Sequence, residues 1–324
     1  MIITVTPNPA LDLTWHVSSL TVGGTHRADA GQARAGGKGL NVARVAHDHG
    51  AQVVAITTAG GTTGAEFAEE LASSGVPNVL VPVTAPTRRS VALVDEALGN
   101  TTIVNERGVA PTPAEWQALS DAVAGALGDP AAAARVLVIS GSMPPGIQDD
   151  ALPGLIRLGR DAGVTVIADT SGPALLVAAD AGASVLKPNE HELRDATGLD
   201  DPIDGARELV RRGAELVLVS LGAAGMLAVS ATASRALSVL HAGLDESLAG
   251  NPTGAGDAAV AACAVLIDAG IRDPAQILRR ATAWSAAAVL MPLAGSIHPT
   301  WPALEAALTL TERPSPASDP KETR

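Results

Sequence analysis

Apolar residues fall along this chain in short, dense blocks. IITV (2–5), VVAIT (53–57), RVLVIS (135–140), VTVIAD (164–169), SVLKPN (184–189) and LVLVS (216–220) are rich in β-branched residues and nearly continuous in hydrophobicity. A strand that is apolar on both sides belongs in a sheet covered on both faces. Stretches with helical character, 113–127, 149–162 and 203–213, lie between most of these blocks. The alternation predicts an α/β fold with a mostly parallel sheet and helices on both faces. After residue 257 the pattern reads as helix only.

Two segments break the alternation. Residues 11–35 and 87–107 read as short strands and turns with no long helix, and EALGN (96–100) reads as the turn of a hairpin. They predict a small separate β-sheet, a lid over the ligand-binding edge built from about 12–34 and 87–107. The last residues, TERPSPASDPKETR, are polar and proline-rich, which predicts a disordered tail over 311–324 after a folded unit spanning 1–310. There is no internal repeat.

Composition narrows the function classes. The chain has 324 residues, 47% of them hydrophobic, with one Phe and no Tyr, so its core must be built from Val, Leu, Ile and Ala. The net charge is -12 and no run of Lys or Arg exists, so the basic stripe of a nucleic-acid binder is missing. A phosphorylated ligand would need a local positive site. The single Cys263 excludes an intramolecular disulfide and a cysteine-cluster metal site. No apolar stretch reaches the length of a membrane span, and MIITVTPNPA lacks the basic start of a secretory leader. The expectation is a cytoplasmic protein.

Candidate chemistry sits where strands and glycines meet. In NPTGAGDAAVAACAVLIDAG (251–270), Asp257 is the only charge between Glu246 and Asp268. An acid at a helix start is ordinarily a cap. A cap does not require the glycines around it, whereas backbone N–H groups closing on a phosphate do. GAGDAA also fits the loose dinucleotide pattern G-x-G-x-x-A, but too late in the chain for the first turn of a βαβ unit. AGGKGLNVAR (35–44) is not a P-loop, because Gly39 rather than Ser or Thr follows Lys38. Its glycines still admit a ligand to the backbone, facing Lys38 and Asn41. In KPNEHEL (187–193), Asn189 and Glu192 share a face if a helix begins at Glu190, a spacing that suits an outer-sphere Mg²⁺ site as well as a plain helix start. ISGSMPPG, DTSG and SLGAAG each end an expected strand in small residues, and three such endings point to one cleft. His47 and His49 lie on different helix faces and make a poor metal pair.

These segments, with TPNPALD near the start, occur in the order found in the ribokinase/PfkB sugar kinases. The chain resembles that family over roughly residues 1–310, in particular the branch of 1-phosphofructokinases, tagatose-6-phosphate kinases and the minor bacterial 6-phosphofructokinase. The resemblance implies a Rossmann-like domain with a β lid, ATP as phosphoryl donor and Mg²⁺; a monovalent cation, used by many relatives, is left open. It implies Asp257 as the base toward the sugar hydroxyl, with Gly254, Ala255 and Gly256 as the anion hole. It sets Asn189 and Glu192 around Mg²⁺ and phosphate, and Lys187, Ser220, Gly222 and Gly225 around the nucleotide. Asp12, Gly37, Lys38, Asn41 and Ser140 go to the sugar, and Arg88, with Arg27 as a second candidate and Lys38 as a third, to the phosphate already on it. It also implies a homodimer through the lid. Pro252 and Ala258 depart from the usual N-T-x-G-A-G-D-S without removing the base.

The expected reaction is phosphorylation of fructose 1-phosphate to fructose 1,6-bisphosphate. Tagatose 6-phosphate and fructose 6-phosphate are the alternatives, each favoured by a different local sequence. A kinase of an unphosphorylated sugar or nucleoside is argued against by Arg88. The late G-x-G-x-x-A disfavours a dinucleotide oxidoreductase, and the intact Asp257 disfavours a non-catalytic binding protein.

Overall fold

The computed structural model describes residues 1–231 and 237–313. The elements run β1 (Ile2–Thr6), β2 (Ala10–Val17), β3 (Gln32–Gly36), α1 (Lys38–Asp48), β4 (Val53–Ala59), α2 (Gly61–Ser73), β5 (Asn78–Pro82), β6 (Arg88–Asp95), β7 (Asn100–Asn105), α3 (Pro113–Gly128) and β8 (Val136–Ser140). They continue α4 (Ala151–Asp161), β9 (Thr165–Asp169), α5 (Pro173–Asp180), β10 (Val185–Leu186), α6 (Glu190–Thr197), α7 (Pro202–Arg212) and β11 (Leu216–Ser220). The chain ends β12 (Met226–Ala231), β13 (Leu237–Gly243), α8 (Ala255–Asp268), α9 (Pro274–Val289), α10 (Trp301–Ala307) and β14 (Thr309–Glu312).

Among the described residues the larger sheet has ten strands in the order β14-β13-β12-β11-β10-β9-β8-β1-β4-β5. From β5 to β11 every pairing is parallel; β12, β13 and β14 then add antiparallel to the edge. Both faces are covered, as the fully apolar strands require. On one face Leu40, Val42, Phe67, Leu71, Leu278 and Trp284 pack from the helices. On the other lie Trp116, Leu119, Leu155, Ile156, Leu193 and Leu209. Several helices start where a side chain takes up their free N–H groups. Thr112 and Glu115 form a reciprocal capping box on α3, and Asp201 and Asp273 cap α7 and α9 ahead of a proline.

The smaller sheet has the order β3-β2-β6-β7, and it is the expected lid. Four stretches of chain connect it to the body: β1 to β2, β3 to α1, β5 to β6, and β7 to α3. The strand order reverses between β1 and β8, and the carboxyl ends of strands at such a switch are where α/β sheets bind ligands.

The structure departs from the sequence reading at three places. SVLKPN yields only the two-residue β10, after which an isolated bridge pairs Asn189 with Ser220. The chain is not purely helical after residue 257, because β14 returns to pair with β13. Residues 311 and 312, expected in a disordered tail, belong to that strand; the tail from 314 lies outside the described residues. Among the described residues no helix is long and apolar enough to cross a membrane.

Candidate active site

A cleft of about 1190 Å³ opens between the lid and the carboxyl ends of the sheet. Asp12 and Arg88 reach it from the lid, Gly37, Lys38 and Asn41 from the start of α1, and Gly254 to Asp257 from the start of α8. Lys187, Asn189 and Glu192 enter after β10, Ser220 at the end of β11, and Gly222 and Gly225 beyond it. Residues scattered over most of the chain thus meet in one place. Two expected members do not. Ser140 is fully buried and its Oγ donates to Asp169 Oδ2 at 2.9 Å, so it supports an acid behind the cleft instead of lining it. Arg27 is exposed on the loop between β2 and β3 and does not border the cleft of its own chain.

The start of α8 shows whether Asp257 serves as a side-chain cap. Gly254 is the N-cap, with a left-handed backbone at φ 86, and a Cβ there would stand 2.7 Å from that of Ala294. The next residues are Ala255, Gly256 and Asp257, and no side chain caps the helix. Asp257 is buried, and its Oδ2 instead accepts a hydrogen bond from Asn41 Nδ2 at 2.8 Å. The plain capping interpretation of Asp257 therefore fails. A first helical turn has N–H groups without acceptors inside the helix. That of Ala255 reaches the carbonyl of Pro252 and so is not open to an anion as expected, while among the described residues none accepts from Gly254, Gly256 or Asp257. A Cβ on Gly256 would lie 3.1 Å from Lys187 Nζ, so glycine keeps open the space between this turn and the ammonium.

The charges around this turn are strongly coupled. Asp169, fully buried at the end of β9, stands 3.4 Å from Lys187 Nζ and 3.5 Å from Lys38 Nζ. Burial pushes its pKa up, but Lys187, Lys38 and the Ser140 hydroxyl outweigh that and hold it below the usual carboxylate range. Asp169 in turn raises Lys38 above the ordinary lysine range. Burial, reinforced by Asp169, pushes Asp257 up to about 6. Helix N–H groups favour the charged carboxylate, but here desolvation wins. Asp12 is likewise pushed up to about 6 by burial against the opposing pull of Arg88. Two carboxylates that titrate near neutrality in one cleft mark it as a site for chemistry.

The residues fit a nucleotide phosphate and a metal held indirectly. Asn189 and Glu192 form a capping box on α6: Asn189 Oδ1 accepts from the Glu192 N–H at 2.8 Å, and Glu192 Oε2 from the Asn189 N–H at 2.9 Å. The remaining Glu192 Oε1 faces Lys38 Nζ at 3.7 Å. The helix-start and metal interpretations of this motif are thus compatible. Among the described residues no group of three or more acidic, His or Cys side chains could cage a metal ion. A divalent cation here would take most of its ligands from phosphate and water, as Mg²⁺ in nucleotide sites does.

Asp169 was not singled out from sequence, although DTSG carried the signal of a lone acid ending an apolar strand. Arg34 was missed as well. It pairs across the lid from Asp12, and its guanidinium donates to the carbonyl of Ala294, beside Gly254. His49 packs against Trp284 with ring centroids 4.6 Å apart and the rings tilted by 45°.

The profile of the pfkB family carbohydrate kinases matches residues 6–301, and the chain belongs to that family. It is 36% identical over 293 residues to a 1-phosphofructokinase of Xanthomonas campestris, covering 87% of this chain and 89% of that protein. It is equally 36% identical over 275 residues to the ATP-dependent 6-phosphofructokinase isozyme 2 of Mycobacterium tuberculosis, covering 83% and 78%. Among solved structures, Escherichia coli phosphofructokinase-2 in complex with fructose-6-phosphate superimposes with a TM-score of 0.80 at 30% identity, over 94% of this chain and 98% of that one. The same enzyme has been solved with potassium and in a tetrameric inhibited form.

Proposed function

We propose that this carbohydrate kinase phosphorylates a hexose phosphate at the expense of ATP, with fructose 1-phosphate as the substrate and fructose 1,6-bisphosphate as the product. One observation carries the chemistry: Asp257, buried and raised to about 6, is held by Asn41 at the start of a helix whose next free N–H groups face the same cleft. Asp257 accepts the proton of the attacking sugar hydroxyl as its oxygen bonds to the terminal phosphorus of ATP. The bond from that phosphorus to the bridging oxygen breaks, and ADP leaves. The N–H groups of Gly256 and Asp257, with Lys187, face the charge gathered on the transferring group. Such transfer depends chiefly on positioning and electrostatics. Mg²⁺ would supply charge neutralisation to the donor phosphates, and Asn189 and Glu192 are the residues that would hold it.

Arg88, from the lid, supports a substrate that already carries a phosphate. Asp12 stands beside it and takes sugar hydroxyls. The 1-phosphofructokinase reading rests on the Xanthomonas relative, and the equal identity to the Mycobacterium enzyme favours fructose 6-phosphate as the second reading. A monovalent cation is a further requirement, supported by the potassium complex of the Escherichia coli enzyme. ADP release measured with fructose 1-phosphate, fructose 6-phosphate, tagatose 6-phosphate and free fructose tests the assignment. The highest kcat/KM is expected on fructose 1-phosphate. Equal turnover of free fructose would overturn the hexose-phosphate reading.

A further inference from the structure

Asn8 belongs to TPNPALD, the motif whose polar residue before Asp12 has no part in the chemistry above. It follows β1 directly, at the switch point of the sheet, and it borders the cleft. Its Nδ2 donates to the carbonyl of Arg107 at 3.2 Å and lies 3.2 Å from Ser142 Oγ. Its own carbonyl accepts from Arg88 Nε at 3.3 Å and Arg88 Nη2 at 3.1 Å. Arg88 Nη1 donates to the carbonyl of Glu106 at 3.1 Å, one residue before the carbonyl that the Asn8 side chain grips. Both carbonyls that aim the guanidinium are thus set by Asn8, one directly and one through its neighbour. Gly108 shows how closely the clasp is packed: a Cβ there would fall 2.6 Å from Asn8 Oδ1, at a backbone φ of 79.

The position gives the contact its meaning. Three of the four stretches that join lid and body, those before β2, before β6 and after β7, meet at Asn8 and Arg88. Ser142, just beyond β8, ties the same point to the floor of the cleft. Lid strands can shift as a unit only about such connections.

We infer that Asn8 is a positioning residue for substrate specificity: its side chain clasps the β7 exit to the sheet and so sets Arg88 for the phosphate borne by the sugar. This rests on the proposed role of Arg88. Asn8 touches no reacting atom. Its loss therefore weakens recognition of the sugar phosphate and leaves the transfer step alone.

The test is a double-mutant cycle on the full chain, read by steady-state kinetics with fructose 1-phosphate and, separately, fructose 6-phosphate. Asn8→Ala keeps the backbone carbonyl and removes the clasp. KM for the better hexose phosphate should rise roughly three- to tenfold, the effect of about one neutral hydrogen bond. The kcat and the KM for ATP should stay within about twofold. Gly108→Ala, which pushes on the clasp from the other side, should give the same split between KM and kcat. In the Arg88→Ala background, Asn8→Ala should add nothing further, because the two residues act as one unit. Additive effects, or an unchanged KM in Asn8→Ala where Arg88→Ala raises it, would overturn the inference while sparing the role of Arg88. An unchanged KM in Arg88→Ala would overturn both.

Discussion

Asn41 donates to Asp257 across 2.8 Å, joining the first turn of α1 to the first turn of α8. The two residues are 216 positions apart in sequence. The bond leaves Asp257 one oxygen free for a substrate hydroxyl and fixes the plane of the carboxylate. It also opposes burial, since an N–H donor favours the charged form.

The pH profile should report this balance. Asp257 must be ionised to accept a proton, so kcat/KM should fall on the acid side with an apparent pKa of about 6. Asn41→Ala removes a contact that lowers the pKa of Asp257, so the acid limb should move to higher pH. Stability should respond in the opposite sense. The folded pKa of Asp257 lies above its ordinary value, so the folded state binds more protons between 3.8 and about 6, and its contribution to stability declines as pH rises through that window. An acid limb unmoved by Asn41→Ala would contradict the assignment.

Arg88→Ala should raise the KM for the hexose phosphate about ten- to a hundredfold, because charge-assisted contacts contribute roughly 1.5–3 kcal/mol. Burial lowers the pKa of the Arg88 guanidinium, yet an arginine stays charged throughout the working range. The KM for ATP should barely change. Steady-state kinetics with each substrate varied in turn checks both statements.

Glu192→Gln keeps an oxygen that can accept from the Asn189 N–H, so α6 should remain capped and thermal stability should hold. The charge facing Lys38 and the cleft is lost. The Mg²⁺ concentration for half-maximal activity should rise severalfold, with the KM of the sugar little changed. A Mg²⁺ titration of activity, paired with a melting curve, separates the metal role from the cap.

The lid should pair between two copies of the chain. β7 is exposed along its whole length, with Ile103 at 45% and Val104 at 60%, and Leu98 at the hairpin tip is 71% exposed. Edge strands of this kind invite a second strand or sheet. Sedimentation at micromolar concentration should give twice the chain mass, and Val104→Asp should shift the mass toward the monomer. A monomeric, fully active wild type would contradict the pairing.

The parallel core was legible because strands buried on both faces leave unbroken apolar runs. The β12–β13 hairpin was not, since its alanines and serines are too small to mark a strand face, and in β14 only Leu310 among four residues is apolar. The GAGD turn, Lys38 and Asn41 stood out because glycine and lone polar residues contrast with apolar neighbours, whereas Lys187 entered only through the family resemblance. Ser140 and Asp169 were harder. Both end strands in small polar runs, and only the pairing of β8 with β9 shows that the serine serves the acid and not the ligand. Arg27 and Arg88 look alike in sequence; the lid strands bring only Arg88 to the cleft.

In the proposed mechanism Asp257 is a general base and not a helix cap. Asp257→Asn keeps the size of the side chain, and its amide oxygen can still accept from Asn41. It cannot take a proton. Measured on one purified sample, kcat should fall about 10²- to 10⁴-fold, while the melting temperature at pH 7 is equal to or above that of the wild type and ATP binding is nearly unchanged. Near-normal turnover with a lowered melting temperature would contradict the account.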